Sequence, residues 1–134
     1  MARILVIDGD VVFSALMRRA LENRGHYVVL SGDAKGGREC LAREEFDALV
    51  CDLILPDESG LRILRELRTH PSLALLAISS GRPSGRGQIV DALQLAHALD
   101  LEAVIRKPFE LSSFVATVEG AIVKKRQSVT AAGA

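Results

Sequence analysis

The chain has 134 residues, 49% of them hydrophobic and 25% charged, with 17 basic residues against 17 acidic ones. A chain of this length reads as one domain, able to bury about two-thirds of its unfolded surface. Zero net charge gives no electrostatic case for nucleic acid or an anionic membrane. No apolar run reaches membrane-spanning length, and no basic-then-apolar leader precedes the first strand, so a soluble, cytoplasmic protein is expected. Cys40 and Cys51 read as reduced core thiols rather than a disulfide or metal pair.

Arg3 to Ile7 is a buried strand by composition and delivers Asp8, Gly9 and Asp10 to its carboxyl end. A helix follows, with Phe13, Leu16, Met17, Ala20 and Leu21 at helical spacing and Gly25 as its stop. Tyr27 to Leu30 is a second strand. A weaker helix spans Ala34 to Glu45, where Gly36 and Gly37 lower the propensity and Cys40 and Leu41 give an inner face. The third strand runs from Phe46 to Asp52. A helix from about Ser59 to His70 turns Leu61, Leu64 and Leu67 inward, and Pro71 ends it.

Leu73 to Ser79 is a fourth, small and aliphatic strand. Ser80 to Gly87 is a loop with three glycines, followed by a fourth helix over about 88–99. Ala103 to Arg106 is a short fifth strand leading into Lys107-Pro108. A fifth helix carries Leu111, Phe114, Val115, Val118 and Ile122 on one face and closes on Lys124-Lys125-Arg126, favourable charges at a helix C-terminus. One domain over 1–126 and a disordered tail over 127–134 are expected. Five strands alternating with five helices give an α/β three-layer sandwich around a five-stranded parallel sheet with right-handed crossovers.

The stretch Leu49-Val50-Cys51-Asp52-Leu53-Ile54-Leu55-Pro56 organises the rest. An ionised Asp fits an apolar strand only at its carboxyl end, where open α/β sheets place their chemistry. Asp8, Asp10, Asp52, Ser79 and Lys107 all fall at such ends, so one edge of a parallel sheet collects them. A buried, unpaired ammonium is costly, so Lys107 requires acidic neighbours. For Asp10 two readings stand: a ligand beside Asp8, or a cap on the first helix, the latter slightly favoured.

In this order and spacing, Ile4-Leu5-Val6-Ile7-Asp8, Cys51 to Gly60, Ile78-Ser79-Ser80-Gly81 and Arg106-Lys107-Pro108-Phe109 resemble the receiver domain of bacterial two-component response regulators, over residues 2 to 123. The resemblance implies the strand order 2-1-3-4-5, in which the first and third strands are adjacent and Asp8 meets Asp52. It implies Asp52 as phosphoacceptor, with Ser79 and Lys107 on the phosphoryl oxygens. It also implies Mg²⁺ held by Asp8, Asp52 and the Ile54 carbonyl, with Asp10 as an alternative ligand. A cis Lys107-Pro108 bond is expected on the same ground. So is a switch loop containing Ser80, Gly81, Arg82 and Arg86. The implied partners are a sensor histidine kinase or phosphotransfer protein, and a downstream protein on the face of the fourth helix, fifth strand and fifth helix. Nucleic acid and membrane are not expected as partners, and a homodimer is left open.

Three positions depart from the family pattern. Gly9 stands where a second acid is usual, Val104 stands where an aromatic switch residue is common, and Ser79 and Lys107 lie 28 residues apart. Gly9 keeps alive a pseudo-receiver, the same fold used as a non-phosphorylated binding module. Ile7-Asp8-Gly9-Asp10-Val11 also resembles the first motif of haloacid-dehalogenase-type phosphatases, but no acidic pair follows Lys107 and no cap domain fits. A dinucleotide module fails for want of G-x-G-x-x-G. A non-enzymatic signalling domain is the expectation.

Overall fold

A computed structural model describes residues 1–79, 94 and 97–133. Its strands are β1 (Arg3–Ile7), β2 (Tyr27–Ser31), β3 (Ala48–Asp52), β4 (Ala74–Ser79) and β5 (Ala103–Arg106). Its helices are α1 (Val11–Glu22), α2 (Ala34–Arg43), α3 (Gly60–Leu67) and α5 (Leu111–Gly133). The label α4 belongs to the helix expected over 88–99, which lies mostly outside the described residues, as does the expected loop of Ser80, Gly81, Arg82 and Arg86. The pairings among these five strands are parallel, in the order β2-β1-β3-β4-β5.

Strand alternation divides the core into two layers. Ile4 and Val6, Ala48 and Val50, Leu76 and Ile78 face a cluster with Met17 and Leu21 of α1 and Phe114 and Val118 of α5. Leu5 and Ile7, Leu49 and Cys51, Leu75 and Ala77 face the opposite cluster, with Ile63 and Leu64 of α3. These strands are buried on both sides, which explains their nearly unbroken apolar sequences. The same alternation has a functional consequence. Asp8 continues the series 4, 6, 8, Asp52 continues 48, 50, 52, and Lys107 continues 103, 105, 107, so all three belong to the α1/α5 face.

Several expectations are corrected. Leu16, assigned to the inner face of α1, is 45% exposed. The buried stripe of that helix is Ser14, Met17 and Leu21, and Leu16 lies instead on the wall of an open groove against α5. On α3 the fully buried residues are Ile63 and Leu64, with Leu61 and Leu67 packed at the margin. β3 begins two residues later than expected and ends at Asp52, so Leu53, Ile54 and Leu55 belong to the loop.

The C-terminal region differs most. Residues 127–133, expected to be disordered, continue α5 to Gly133. Lys124-Lys125-Arg126 therefore lies inside the helix rather than at its end. No Gly or Pro interrupts residues 121–132. The Ser128 and Thr130 hydroxyls fold back onto the carbonyls of Lys125 and Arg126, at 2.7 and 3.0 Å. Lys125 and Arg126 also reach Glu102 and Asp47, at 4.0 and 3.6 Å, which ties this segment to the body of the domain.

Candidate functional site

Asp8 and Asp52 leave adjacent strands, β1 and β3, at the carboxyl edge of the sheet. Both are nearly inaccessible, at 3% and 4% exposure. Two carboxylates buried side by side need a cation, and Lys107 provides one. Its Nζ lies 2.8 Å from Asp8 Oδ2 and 3.3 Å from Asp52 Oδ2. The approach to Asp52 is a hydrogen bond. The approach to Asp8 is close enough for an ion pair but lacks hydrogen-bond alignment, so Asp8 Oδ2 has no aligned donor among the described residues.

The backbone aims each of these groups. Lys107 N–H donates to the Ser79 carbonyl at 2.8 Å, which extends the β4–β5 ladder one residue past the strand end. The Lys107-Pro108 bond is cis, as expected. Ser79 closes β4 half-buried, at the same edge. Asp52 Oδ1 accepts the Ile54 N–H at 2.8 Å, an Asx turn that fixes the carboxylate plane. Ile54 itself is 67% exposed and forms a bridge with Ser59. Asp8 Oδ1 accepts the Asp10 N–H at 2.9 Å, and the Ser14 hydroxyl donates to the Asp8 carbonyl at 3.2 Å.

Asp10 does not join the pair. Its Oδ1 accepts the Phe13 N–H at 3.0 Å and caps α1. Among the described residues no three His, Cys, Asp or Glu side chains converge in a metal-holding arrangement. Asp10 thus takes the capping position, the reading slightly favoured from the sequence. A helix start lacking any other acid in its first turn engages the nearest carboxylate.

The electrostatics follow from burial and proximity. Burial pushes the Asp52 carboxyl above its ordinary range, and repulsion from Asp8 adds to this against the Ile54 amide and Lys107. Burial would lower the Lys107 ammonium, but contact with Asp8 and then Asp52 outweighs it and raises the group above the usual lysine value. Burial, reinforced by Asp52, also pushes the Cys51 thiol up to about 12, so it remains protonated and inert at neutral pH.

Two features of the surroundings had no sequence signal. The first is a tether on the β3–α3 loop. Asp57 accepts the N–H groups of Ala34 and Lys35, at 2.9 and 3.0 Å, and so caps α2 from another element. Arg38 of α2 makes a bidentate pair with Glu58, both bonds 2.7 Å, and reaches Glu66 at 2.9 Å. These partners are 20 to 28 residues apart, and only the parallel topology brings them together. The second is an aromatic wall. The Phe13 ring lies under Lys107 Nζ, 4.8 Å from ammonium to centroid. Phe109 meets Phe13 edge-on and stacks on Phe114. Aromatics at helical spacing on α1 and α5 read only as core.

No helix among the described residues is long and apolar enough to cross a membrane. Residues 4–119 match the family model described as the response regulator receiver domain. The chain is 35% identical to the regulatory protein VirG of Rhizobium rhizogenes over 129 residues, 96% of this chain and 51% of VirG. It is 27% identical to protein PetR of Rhodobacter capsulatus, over 96% of this chain and 52% of PetR. The chain spans about half the length of these relatives. Among solved structures, a response regulator receiver domain protein from Clostridium thermocellum superposes with a TM-score of 0.80 at 25% identity, covering 95% of this chain and 98% of that one. The matched family is thus the receiver and not the haloacid-dehalogenase alternative. Receiver domains are signalling modules that interact with histidine kinases or phosphotransfer proteins. With its Asp8–Lys107–Asp52 cluster at the carboxyl edge of a 2-1-3-4-5 sheet, this chain belongs to the response regulator receiver domain family.

Proposed function

We propose that Asp52 accepts a phosphoryl group from a phosphohistidine on a sensor kinase or phosphotransfer protein. The observation that carries this reading is the ammonium of Lys107 held between two buried carboxylates, with the Asp52 plane fixed by Ile54. Phosphoryl transfer requires positioning and charge neutralisation more than covalent assistance. The Asp52 carboxylate attacks phosphorus, the P–N bond to the donor histidine breaks, and an acyl phosphate forms as the imidazole leaves. Lys107 pairs with the phosphoryl oxygens, and Ser79, at the end of the neighbouring strand, donates its hydroxyl to them.

The donor set suits a small hard cation. Asp8 Oδ2 is buried and has no aligned donor among the described residues, and a carboxylate pair with a main-chain carbonyl is oxygen-only. Asp8, Asp52 and the Ile54 carbonyl would hold Mg²⁺. When bound, Mg²⁺ supplies charge to the phosphoryl oxygens and relieves the repulsion between Asp8 and Asp52. With Gly9 in place of a further acid and Asp10 committed to α1, binding is weak and phosphorylation slow. The downstream partner docks on the face of β5 and α5, together with the segment 88–99, which lies mostly outside the described residues.

Incubation with acetyl phosphate and Mg²⁺, followed by intact mass measurement, tests the reading. The expected result is one hydroxylamine-labile phosphoryl group, lost in Asp52→Asn. No labelling at saturating Mg²⁺, or equal labelling of Asp52→Asn, overturns it. Turnover of a phosphomonoester would point to phosphatase chemistry instead.

A further inference from the structure

Lys107 has four rotatable bonds, and its ammonium must stay charged beside the acceptor without being locked onto the carboxylates that an incoming phosphoryl group approaches. The two carboxylates account for its charge but leave one side of the ammonium to be explained. On that side lies the Phe13 ring, at 4.8 Å. The face of an aromatic ring attracts an ammonium electrostatically, most strongly where water is partly excluded, and the Lys107 side chain is only 16% exposed.

The ring is itself held in place. Phe13 meets Phe109 with centroids 4.9 Å apart and planes at 82°. Phe109 stacks on Phe114 at 5.1 Å and 21°, and Phe114 is 1% exposed in the α1/α5 core layer. Edge-to-face and offset contacts of this kind restrain ring orientation. A continuous aromatic column thus runs from the core to the ammonium. The aliphatic Val104 on β5 adds no ring to it.

We infer that Phe13 is a positioning residue: its ring face holds the Lys107 ammonium against the Asp8–Asp52 pair. The inference rests on the proposed function, in which Lys107 pairs with the phosphoryl oxygens. It extends that function to a residue that touches neither phosphoryl group nor metal. An attraction to a neutral ring persists when Asp52 carries the phosphoryl group, so Lys107 stays at the site through the transfer.

The test is a series at position 13 in the full chain: Phe13→Tyr, Phe13→Leu, and phenylalanines bearing one, two or three ring fluorines, incorporated at that position alone. Fluorine drains the ring face at nearly constant shape, which separates attraction from packing. Two readouts are needed: the initial rate of Asp52 labelling by acetyl phosphate, and the exchange of the Lys107 ammonium protons with water by NMR without phosphodonor. Phe13→Leu should slow labelling about three- to ten-fold and speed ammonium exchange, with Phe13→Tyr close to wild type. Successive fluorines should move both quantities stepwise in the direction of Leu. Ammonium exchange that is flat across the fluorine series, or unchanged in Phe13→Leu, overturns the inference. A wild type that takes no label fails the phosphoacceptor reading alone, because the exchange measurement still decides the role of Phe13.

Discussion

Two loops leave the acidic pair, one with a glycine next to Asp8 in sequence and the other ending at a glycine packed on the Asp52 main chain, but the structure uses them differently. The β1–α1 loop is stitched locally: the Asp10 N–H bonds to Asp8, and Asp10 caps its own helix three residues on. A Cβ at Gly9 would meet a Pro56 ring carbon at 3.3 Å and the Gly32 carbonyl at 3.6 Å, a tight fit beside a side chain that can shift. The β3–α3 loop is held from a distance by Asp57 on α2 and by Arg38 on Glu58 and Glu66. At its end the Gly60 N–H donates to the Leu53 carbonyl at 2.9 Å, and a Cβ at Gly60 would lie 1.9 Å from the Asp52 carbonyl oxygen. A position may therefore be glycine because nothing else fits, or glycine where an acid could stand. Only the neighbouring atoms distinguish the two.

The most severe way to break this comparison is Gly60→Ala. The clash is with main chain, and the main chain in question carries Asp52, so neither atom can move without displacing the acceptor. A loss of about 3 kcal/mol in urea unfolding is expected, near the upper end for overpacking. A variant as stable as wild type would show that the loop opens readily.

Gly9→Asp is the complementary substitution and should fold. It places a third carboxylate near Asp8 and Asp52 once the Pro56 ring gives by a few tenths of an ångström. Mg²⁺ affinity should rise about tenfold, because an anionic oxygen ligand is added. Titration of both proteins measures this. Equal affinities would mean that a carboxylate at position 9 does not reach the ion.

A smaller effect separates the acceptor from its frame. The Asp52 carboxyl titrates above its ordinary value of 3.8 in the folded chain, so the folded state binds that proton more tightly than the unfolded state. This contribution to stability is complete below pH 3.8 and is lost as pH rises through the raised folded value. At pH 7 the ionised Asp52 is therefore a net cost, and Asp52→Asn should be more stable than wild type, with Lys107 retaining Asp8 as its partner. The difference should shrink on acidification and close once Asp52 is protonated in both states. Denaturation midpoints at pH 7 and pH 4 check both the sign and the trend. A less stable Asn variant at pH 7 would mean that the Lys107 pair outweighs desolvation.

Much of this protein is legible in the chain because its strands and motifs are local. β1 and β5 are contiguous apolar runs, found at the expected residues, and the helix starts at Asp10, Asp33 and Ser59 are side-chain caps reaching only two or three residues ahead. Parity along a strand even assigns Asp8, Asp52 and Lys107 to one face without reference to tertiary contacts. The tail was misread for a related reason: its small polar residues give no apolar period, yet Lys125 and Arg126 anchor the helix to Glu102 and Asp47.

By itself the sequence determined the strand–helix alternation, the parallel sheet and the placement of Asp8, Asp52, Ser79 and Lys107 at its carboxyl edge, since periodicity and turn chemistry act over a few residues. The tertiary structure alone decided that Asp57 and Arg38 bind the β3–α3 loop to α2, and that Phe13 lies under Lys107. Each of these depends on distances between groups far apart in the chain. Such distances are set by how the helices pack on the sheet, and no local pattern encodes them.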